Sequence, residues 1–214
     1  QDRDREETFA DLRFGYQFQT DKQAFVSFGL NEVDYDQQFD RNGISRNSDG
    51  WHGDAGLRFN ITGVLDGDVF VRYLEQSFDD PALPKVSGWT GGAGLKWRPT
   101  QLTSVGARII SSAQPTTIPY SSGYLRTVYS VRVDHELLRN LLLHASVYRR
   151  ETDFTSIDRQ DDDRGTRLAT SYLMNRRFTI ELEYDSRERN FTVIDTPQTD
   201  FDTGFISLSL KGTR

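Results

Sequence analysis

One pattern limits what this chain can become: apolar and polar residues alternate one for one, in run after run. Residues 88–110 show it most plainly. On the first arm Trp89, Gly91, Ala93, Leu95 and Trp97 fall on one face, and Thr90, Gly92, Gly94, Lys96 and Arg98 on the other. After a tight turn containing Pro99, Val105, Ala107 and Ile109 oppose Ser104, Gly106 and Arg108. Strict alternation marks a strand with one greasy and one wet face.

About eleven such runs, each of roughly ten residues, lie between turn signals along the chain. Near 8–19, Ala10, Leu12, Phe14, Tyr16 and Phe18 oppose Asp11, Arg13, Gln17 and Gln19. Near 51–60, Trp51, Ala55, Leu57 and Phe59 oppose His52, Asp54, Arg58 and Asn60. Near 68–78, Val69, Val71 and Tyr73 oppose Asp68, Phe70 and Arg72. Near 124–134, Leu125, Thr127, Tyr129, Val131 and Val133 oppose Arg126, Ser130, Arg132 and Asp134. Near 178–185, Phe178, Ile180, Leu182 and Tyr184 oppose Thr179, Glu181, Glu183 and Asp185. Further strands are expected near 24–35, 141–150, 166–174 and 203–210, the second of these with an open phase because Leu141, Leu142 and Leu143 are consecutive.

Composition suits such a sheet. Hydrophobic content of 36% and a mean hydropathy of −0.64 are low for 214 residues that bury a thick core on both sides of a sheet. Aromatics at 12% and 17 glycines instead fit a wall with a polar second face and aromatic anchors. No apolar run approaches the roughly 18 residues of a transmembrane helix. The absence of cysteine excludes a disulfide scaffold and thiolate metal sites. A net charge of −6 argues against a nucleic-acid partner.

The connections alternate in length. Short ones fall near 20–23, 61–66, 98–102, 135–140 and 174–177; long polar ones fall near 37–49, 79–87, 111–122, 151–164 and 187–200. In an up-and-down sheet alternate connections lie at opposite ends, so every long loop gathers on one side. Transmembrane barrels have this asymmetry, with short periplasmic turns and long extracellular loops. Tyr35, Phe78, Phe154 and Phe191 stand where strands enter long loops, and are expected to form an interfacial aromatic girdle.

The expected fold is therefore all-β: an antiparallel up-and-down transmembrane barrel of the bacterial outer membrane, with residues 1–214 forming a single barrel domain. Phe14, Trp51, Leu57, Trp89, Trp97, Tyr129 and Tyr184 are expected to meet lipid or the girdle. Arg58, Arg72, Lys96, Arg108, Arg126, Arg132, Glu181 and Glu183 are expected to line a wet lumen. They would form a charged constriction selecting solutes, or an interior salt-bridge network that only stiffens the wall. With long loops outside, the first strand starts outside and the last ends in the periplasm. Closure then needs at least one strand preceding residue 1, or strands from another chain. One alternative is a plugged structural or surface-interaction barrel that binds a partner through its long extracellular loops; another is a soluble β-sandwich or lectin-like module, which would pack the same apolar set inward.

Catalysis is not expected. His144 and Ser146 share a strand face and form a His-x-Ser pair, but Ala145 and Val147 read as the lipid side, and no orienting third group is evident. Asp161-Asp162-Asp163 and Asp34-Tyr35-Asp36 lack the spaced ligands of a calcium loop and read as solvated outer loops. Gly91, Gly92 and Gly94 precede no helix and make no phosphate loop. No cofactor or metal is predicted.

Several segments resemble the putative β-barrel porin 2 family. They are Arg41-Asn-Gly-Ile-Ser-Arg46-Asn-Ser-Asp49-Gly50, Tyr73-Leu-Glu-Gln-Ser-Phe78-Asp79-Asp80, Leu95-Lys-Trp97-Arg-Pro99-Thr100-Gln-Leu102-Thr103, and the turn from Val133 to Leu143 containing Asp134-His135-Glu136-Leu137. The resemblance implies an outer-membrane porin. It also implies association with exopolysaccharide secretion, with a polysaccharide as cargo and periplasmic export components as partners. It carries no catalytic residue.

Overall fold

The structure, a computed structural model, describes residues 4–37, 39, 43–116, 121, 123–155, 157–193 and 201–212. Eleven strands account for nearly all of it. In chain order they are β1 (Arg5–Gln19), β2 (Lys22–Tyr35), β3 (Ser48–Ile61), β4 (Leu65–Phe78), β5 (Val86–Thr100) and β6 (Thr103–Pro115). There follow β7 (Gly123–Leu138), β8 (Leu141–Phe154), β9 (Arg159–Leu173), β10 (Phe178–Val193) and β11 (Phe201–Gly212). Each pairs antiparallel with the next, giving one sheet in sequence order.

A single sheet cannot bury its own apolar face, and this one does not. Phe14 is 64% exposed, Leu57 46%, Val131 43% and Leu182 50%. The accessible surface is 14471 Å². A compact water-soluble monomer of this 24.6 kDa mass exposes about 10,000 Å². The sandwich alternative does not fit, because among the described residues no second sheet packs on the greasy side.

Register turns the alternation into two faces. Residues paired across an antiparallel ladder share a face. Phe14 pairs Val26, Val26 pairs Ala55, Ala55 pairs Val71, and Val71 pairs Gly91, all on the apolar side. Continued, the same row reaches Ser111, Thr127, Glu151 and Asp162. It thus climbs from mid-strand in β1 to the charged outer arm of β8 and β9. That drift is the stagger of strands tilted against a barrel axis. Leu143 pairs Thr170 on the outward side while Leu142 pairs Glu136 and Ser171 inward, which settles the phase of β8.

The strands run longer than expected at the loop end. The connection foreseen over 151–164 contracts to 155–158, because β8 and β9 continue as a hairpin arm. Asp161, Asp162 and Asp163 are therefore strand residues, not loop residues. Both faces of this arm are polar, with Arg149, Glu151, Asp162 and Arg164 outward and Arg150, Asp161 and Asp163 inward. Alternation is silent there, and the arm stands beyond the apolar band.

The described parts of the other long loops fold toward one another. Arg46 donates to the Thr116 carbonyl, the Ser45 amide donates to Asp80 (3.1 Å), and the Asp79 amide donates to the Asn47 carbonyl (3.0 Å). These contacts join the β2–β3 connection to those of β4–β5 and β6–β7. Arg46, Leu83 and Ser121 are buried here.

The two faces make a sharp prediction for adjacent residues. Val131→Arg, which drives a guanidinium toward hydrocarbon, should cost about 2–4 kcal/mol in reversible refolding into lipid vesicles. Ser130→Arg, one residue away on the wet face, should be nearly neutral. Equal costs at both positions would refute the assignment of faces.

Candidate functional site on the inward face

The polar side of the sheet carries the groups that could act on a solute. Register places Arg58, Asp68, Gly94, Arg108 and Ser130 in one row. The next holds Asp66, Lys96, Gly106, Arg132, Ser146, Arg167 and Asp185. Arg72 lies beside Asp54, and Arg126 pairs across to Thr152. Glu181 and Glu183 share the face on β10, several strands from the arginine cluster. All eight residues expected to line a lumen thus share one face. Phe14, Trp51, Leu57, Trp89, Trp97, Tyr129 and Tyr184 share the other.

Most inward charges are paired. Arg72 grips Asp54 through two guanidinium nitrogens, one at 2.8 Å, and Ser27 donates to the same carboxylate at 2.9 Å. Arg98 bonds Asp66 at 2.9 Å. Asp134 takes Arg132 at 2.8 Å and His144 Nδ1 at 2.6 Å. Arg167 reaches Asp185 at 3.0 Å and Glu183 at 3.5 Å, and Lys211 reaches Glu181. In the polar arm Asp163 is held by Arg189 and Arg150, Asp162 by Arg149, and Asp161 by Arg159. Arginines thus occupy the acidic run.

Glycines let these side chains meet over a strand. Asp11 reaches His52 across Gly29 at 3.2 Å, and Asn31 donates to Gln76 across Gly50 at 3.0 Å. Arg108 lies 3.8 Å from Asp68 across Gly94, and Arg187 donates to Tyr148 across Gly165 at 3.1 Å. In each case a residue without a side chain opens a path between its two lateral neighbours.

The aromatic girdle needs a correction. Tyr35 pairs Arg5, Phe78 pairs Ser48, and Phe154 pairs Tyr124, so all three belong to the inward face. The Phe191 side chain lies outside the described residues. Strand ends locate a girdle by height alone; Phe78 shares the parity of Asp68 and Arg72, which already turns it inward, and pairing turns Tyr35 and Phe154 the same way. The outward ladder is instead Phe28, Trp51, Tyr73 and Trp89 on four successive strands, with centroids 6.2, 5.6 and 5.2 Å apart. Neighbouring rings at such spacings attract beyond simple burial. Phe28 and Tyr73 were not singled out as anchors, since only pairing stacks them on the tryptophans.

Between β3 and β7 the inward wall is dished. The concavity, about 590 Å³, is lined by Arg58, Asp66, Asp68, Lys96, Ser104, Arg108, Ser130, Arg132 and Asp134, over a floor that includes Gly94 and Gly106. One greasy face, one wet and dished face, and sequential pairing throughout describe the wall of a membrane barrel. The sequence profile of the putative beta-barrel porin 2 family matches residues 1–214. The chain belongs to that family.

No curated protein matches this porin-family chain in sequence. Solved structures do match its fold. The outer membrane channel DcaP of Acinetobacter baumannii superposes at TM-score 0.64 with 14% identity, over 94% of this chain and 61% of that one. The FrpB iron transporter from Neisseria meningitidis gives 0.60 at 10% identity, over 88% and 36% of the two chains. P. aeruginosa FpvA, solved bound to pyoverdines, gives 0.60 at 10% identity, over 96% and 41%. The porin-family chain thus spans less than two thirds of the length of each. These likenesses are to outer-membrane barrel walls.

The polar arm yields a testable electrostatic consequence. Burial works against ionisation of Asp163, but Arg189 and Arg150 outweigh it and hold the carboxyl below its usual 3.8. A depressed folded pKa adds stability that is present above the usual value and is lost as pH falls through the folded one. Hydrogen-exchange protection of the arm should therefore hold from about pH 7 to 4 and drop only in stronger acid. The side chain is 3% exposed, so Asp163→Asn should cost the arm about 3 kcal/mol at neutral pH and flatten that acid transition. A variant with unchanged protection would show the cluster to be ornamental.

Proposed function

We propose that the chain is part of the wall of an outer-membrane porin that gives passage, without catalysis, to hydrophilic solutes or an exported polysaccharide. The observation that carries this reading is the division of one sheet into an uncovered apolar face and a charged, dished one. Only a bilayer matches the first face, and only water or a polar solute matches the second. Short turns are assigned to the periplasm and long loops to the outside, with periplasmic export components as partners where the cargo is a polymer.

The edges bear on closure. Among the described residues β1 and β11 do not pair with each other, so two rows of backbone donors and acceptors lack strand partners. In hydrocarbon each unsatisfied group costs several kcal/mol. Further strands, from the same polypeptide or another chain, would complete the ring.

His144 and Ser146 remain structural in this account. The carboxylate beside His144 is Asp134, which also serves Arg132, and no hydrogen bond links His144 to Ser146 among the described residues. A second reading, a plugged barrel binding a partner through its long loops, is favoured by the contacts from Arg46 to Thr116 and from Ser45 to Asp80.

Planar-bilayer recording of the full-length protein decides between them. Stepwise conductance is expected. A protein that inserts, and migrates anomalously on SDS gels until boiled, yet never conducts would favour the plugged barrel.

A further inference from the structure

We propose that the wall around Gly106 is a binding station for anionic oxygens, the carboxylate, phosphate or sulfate groups of the solute that passes the pore. The inference rests on the porin reading above and names the charge of its cargo.

The glycine rows carry the argument. At Gly29, Gly50, Gly94 and Gly165 the lateral neighbours are complementary and meet over the glycine. Gly106 has the same place in the same pattern, but its neighbours are Lys96 and Arg132. Two cations cannot close on each other, and the space stays open. A Cβ built on Gly106 would meet nothing closer than the Leu95 carbonyl at 4.0 Å, whereas at Gly94 it would meet Asp68 at 3.0 Å. What the space over Gly106 lacks is an anion.

Charge accounting around it points the same way. Asp66 is held by Arg98, and Asp134 by Arg132 and His144. Asp68 is 3.8 Å from Arg108. Among the described residues neither Arg58 nor Lys96 has a carboxylate within ion-pair distance, and both are exposed into the concavity. Ser104 and Ser130 add hydroxyls on the same lining. Among the described residues the other inward carboxylates short of a cation are Glu136, at the turn end of β7 and outside the lining of the concavity, and the pair on β10, where Glu183 and Asp185 share Arg167. Along the sheet that is five strand spacings from β5, roughly 24 Å, beyond the screening length of about 8 Å at physiological salt. They do not neutralise the basic sector. A carboxylate or phosphate lying over Gly106 would accept charge-assisted hydrogen bonds from Lys96 and Arg132, with Arg58 and Arg108 at its flanks.

The test uses the full-length protein in planar bilayers, with citrate as the small anion, a uronic-acid hexasaccharide as the anionic chain, and maltohexaose as the neutral control. Wild type should show anion-selective reversal potentials in a salt gradient and block by at least one anionic probe at concentrations that leave maltohexaose inert. Lys96→Gln should weaken that block about tenfold, the loss of one charge-assisted bond. Gly106→Asp should abolish it, by supplying the missing carboxylate in cis. Block by the hexasaccharide alone would assign the site to a chain, and block by citrate to free anions. Normal conductance with cation selectivity, or anion block unchanged in Gly106→Asp, overturns the station and leaves the pore intact. If no current flows, the pore reading fails, and calorimetry of the same probes with detergent-solubilised protein still decides the station: binding lost in Gly106→Asp supports it, and no binding to wild type overturns it.

Discussion

Everything in this wall follows from a demand of the backbone. In hydrocarbon a peptide group has no water to bond, so each donor and acceptor must find another strand. Eleven strands paired in sequence order satisfy that demand across the sheet, save at its edges β1 and β11. Side chains are then free to divide by solvent. A helix meets the same demand alone, through an unbroken apolar stretch; a sheet meets it collectively and needs apolar residues only at alternate positions. That is why a chain of mean hydropathy −0.64 can have a membrane-facing side.

The wet face has its own difficulty. Guanidinium groups held against a low-dielectric wall need counter-charges, and neighbouring strands stand nearly 5 Å apart, so long side chains crowd one another. Glycine relieves the crowding. Over Gly29, Gly50 and Gly94 it gives neighbouring side chains a common space, and complementary groups meet there. The same device appears with rings: a Cβ on Gly67 would run into Phe59 at 2.5 Å, so that ring lies flat on the strand beside it. Glycines at these positions are therefore part of the packing, and losing one of them would force the overlying side chain away from its partner.

Much of this was legible in order of residue. Alternation assigns Leu57 and Arg58 to opposite faces with no knowledge of neighbours, because side-chain parity is a property of a single strand. It also counts strands, since each run ends in a turn. What it cannot carry is height and lateral pairing. The arm at 149–164 has polar residues on both sides, so period two vanishes and a strand reads as a loop. Tyr35, Phe78 and Phe154 stood at the expected height for a girdle, but height gives no side: parity with Arg72 turns Phe78 inward, and pairing with Arg5 and Tyr124 turns Tyr35 and Phe154. The outward ladder from Phe28 to Trp89 and the contacts across glycines are likewise properties of register.

Stagger links these features to transport. Because pairing rows climb across the sheet, the lateral neighbours of a basic residue on β5 are not the residues at its own height in the membrane several strands away. A slanted row can therefore set acidic beside basic residues over most of its length, as Asp66 beside Lys96 and Arg167 beside Asp185, and leave two cations as neighbours across one glycine. Lys96 and Arg132 flank Gly106 in such a row, and Glu183 and Asp185 lie on β10. A wall stiffened only by salt bridges would be expected to set a carboxylate between Lys96 and Arg132 as well, since each isolated charge carries a desolvation cost. In the proposed pore two such adjacent cations would keep a field across the aqueous space, ordering water and turning a charged solute as it enters. In the proposed pore a passing anion would supply the counter-charge, and that makes a lysine with no carboxylate partner among the described residues compatible with a stable barrel.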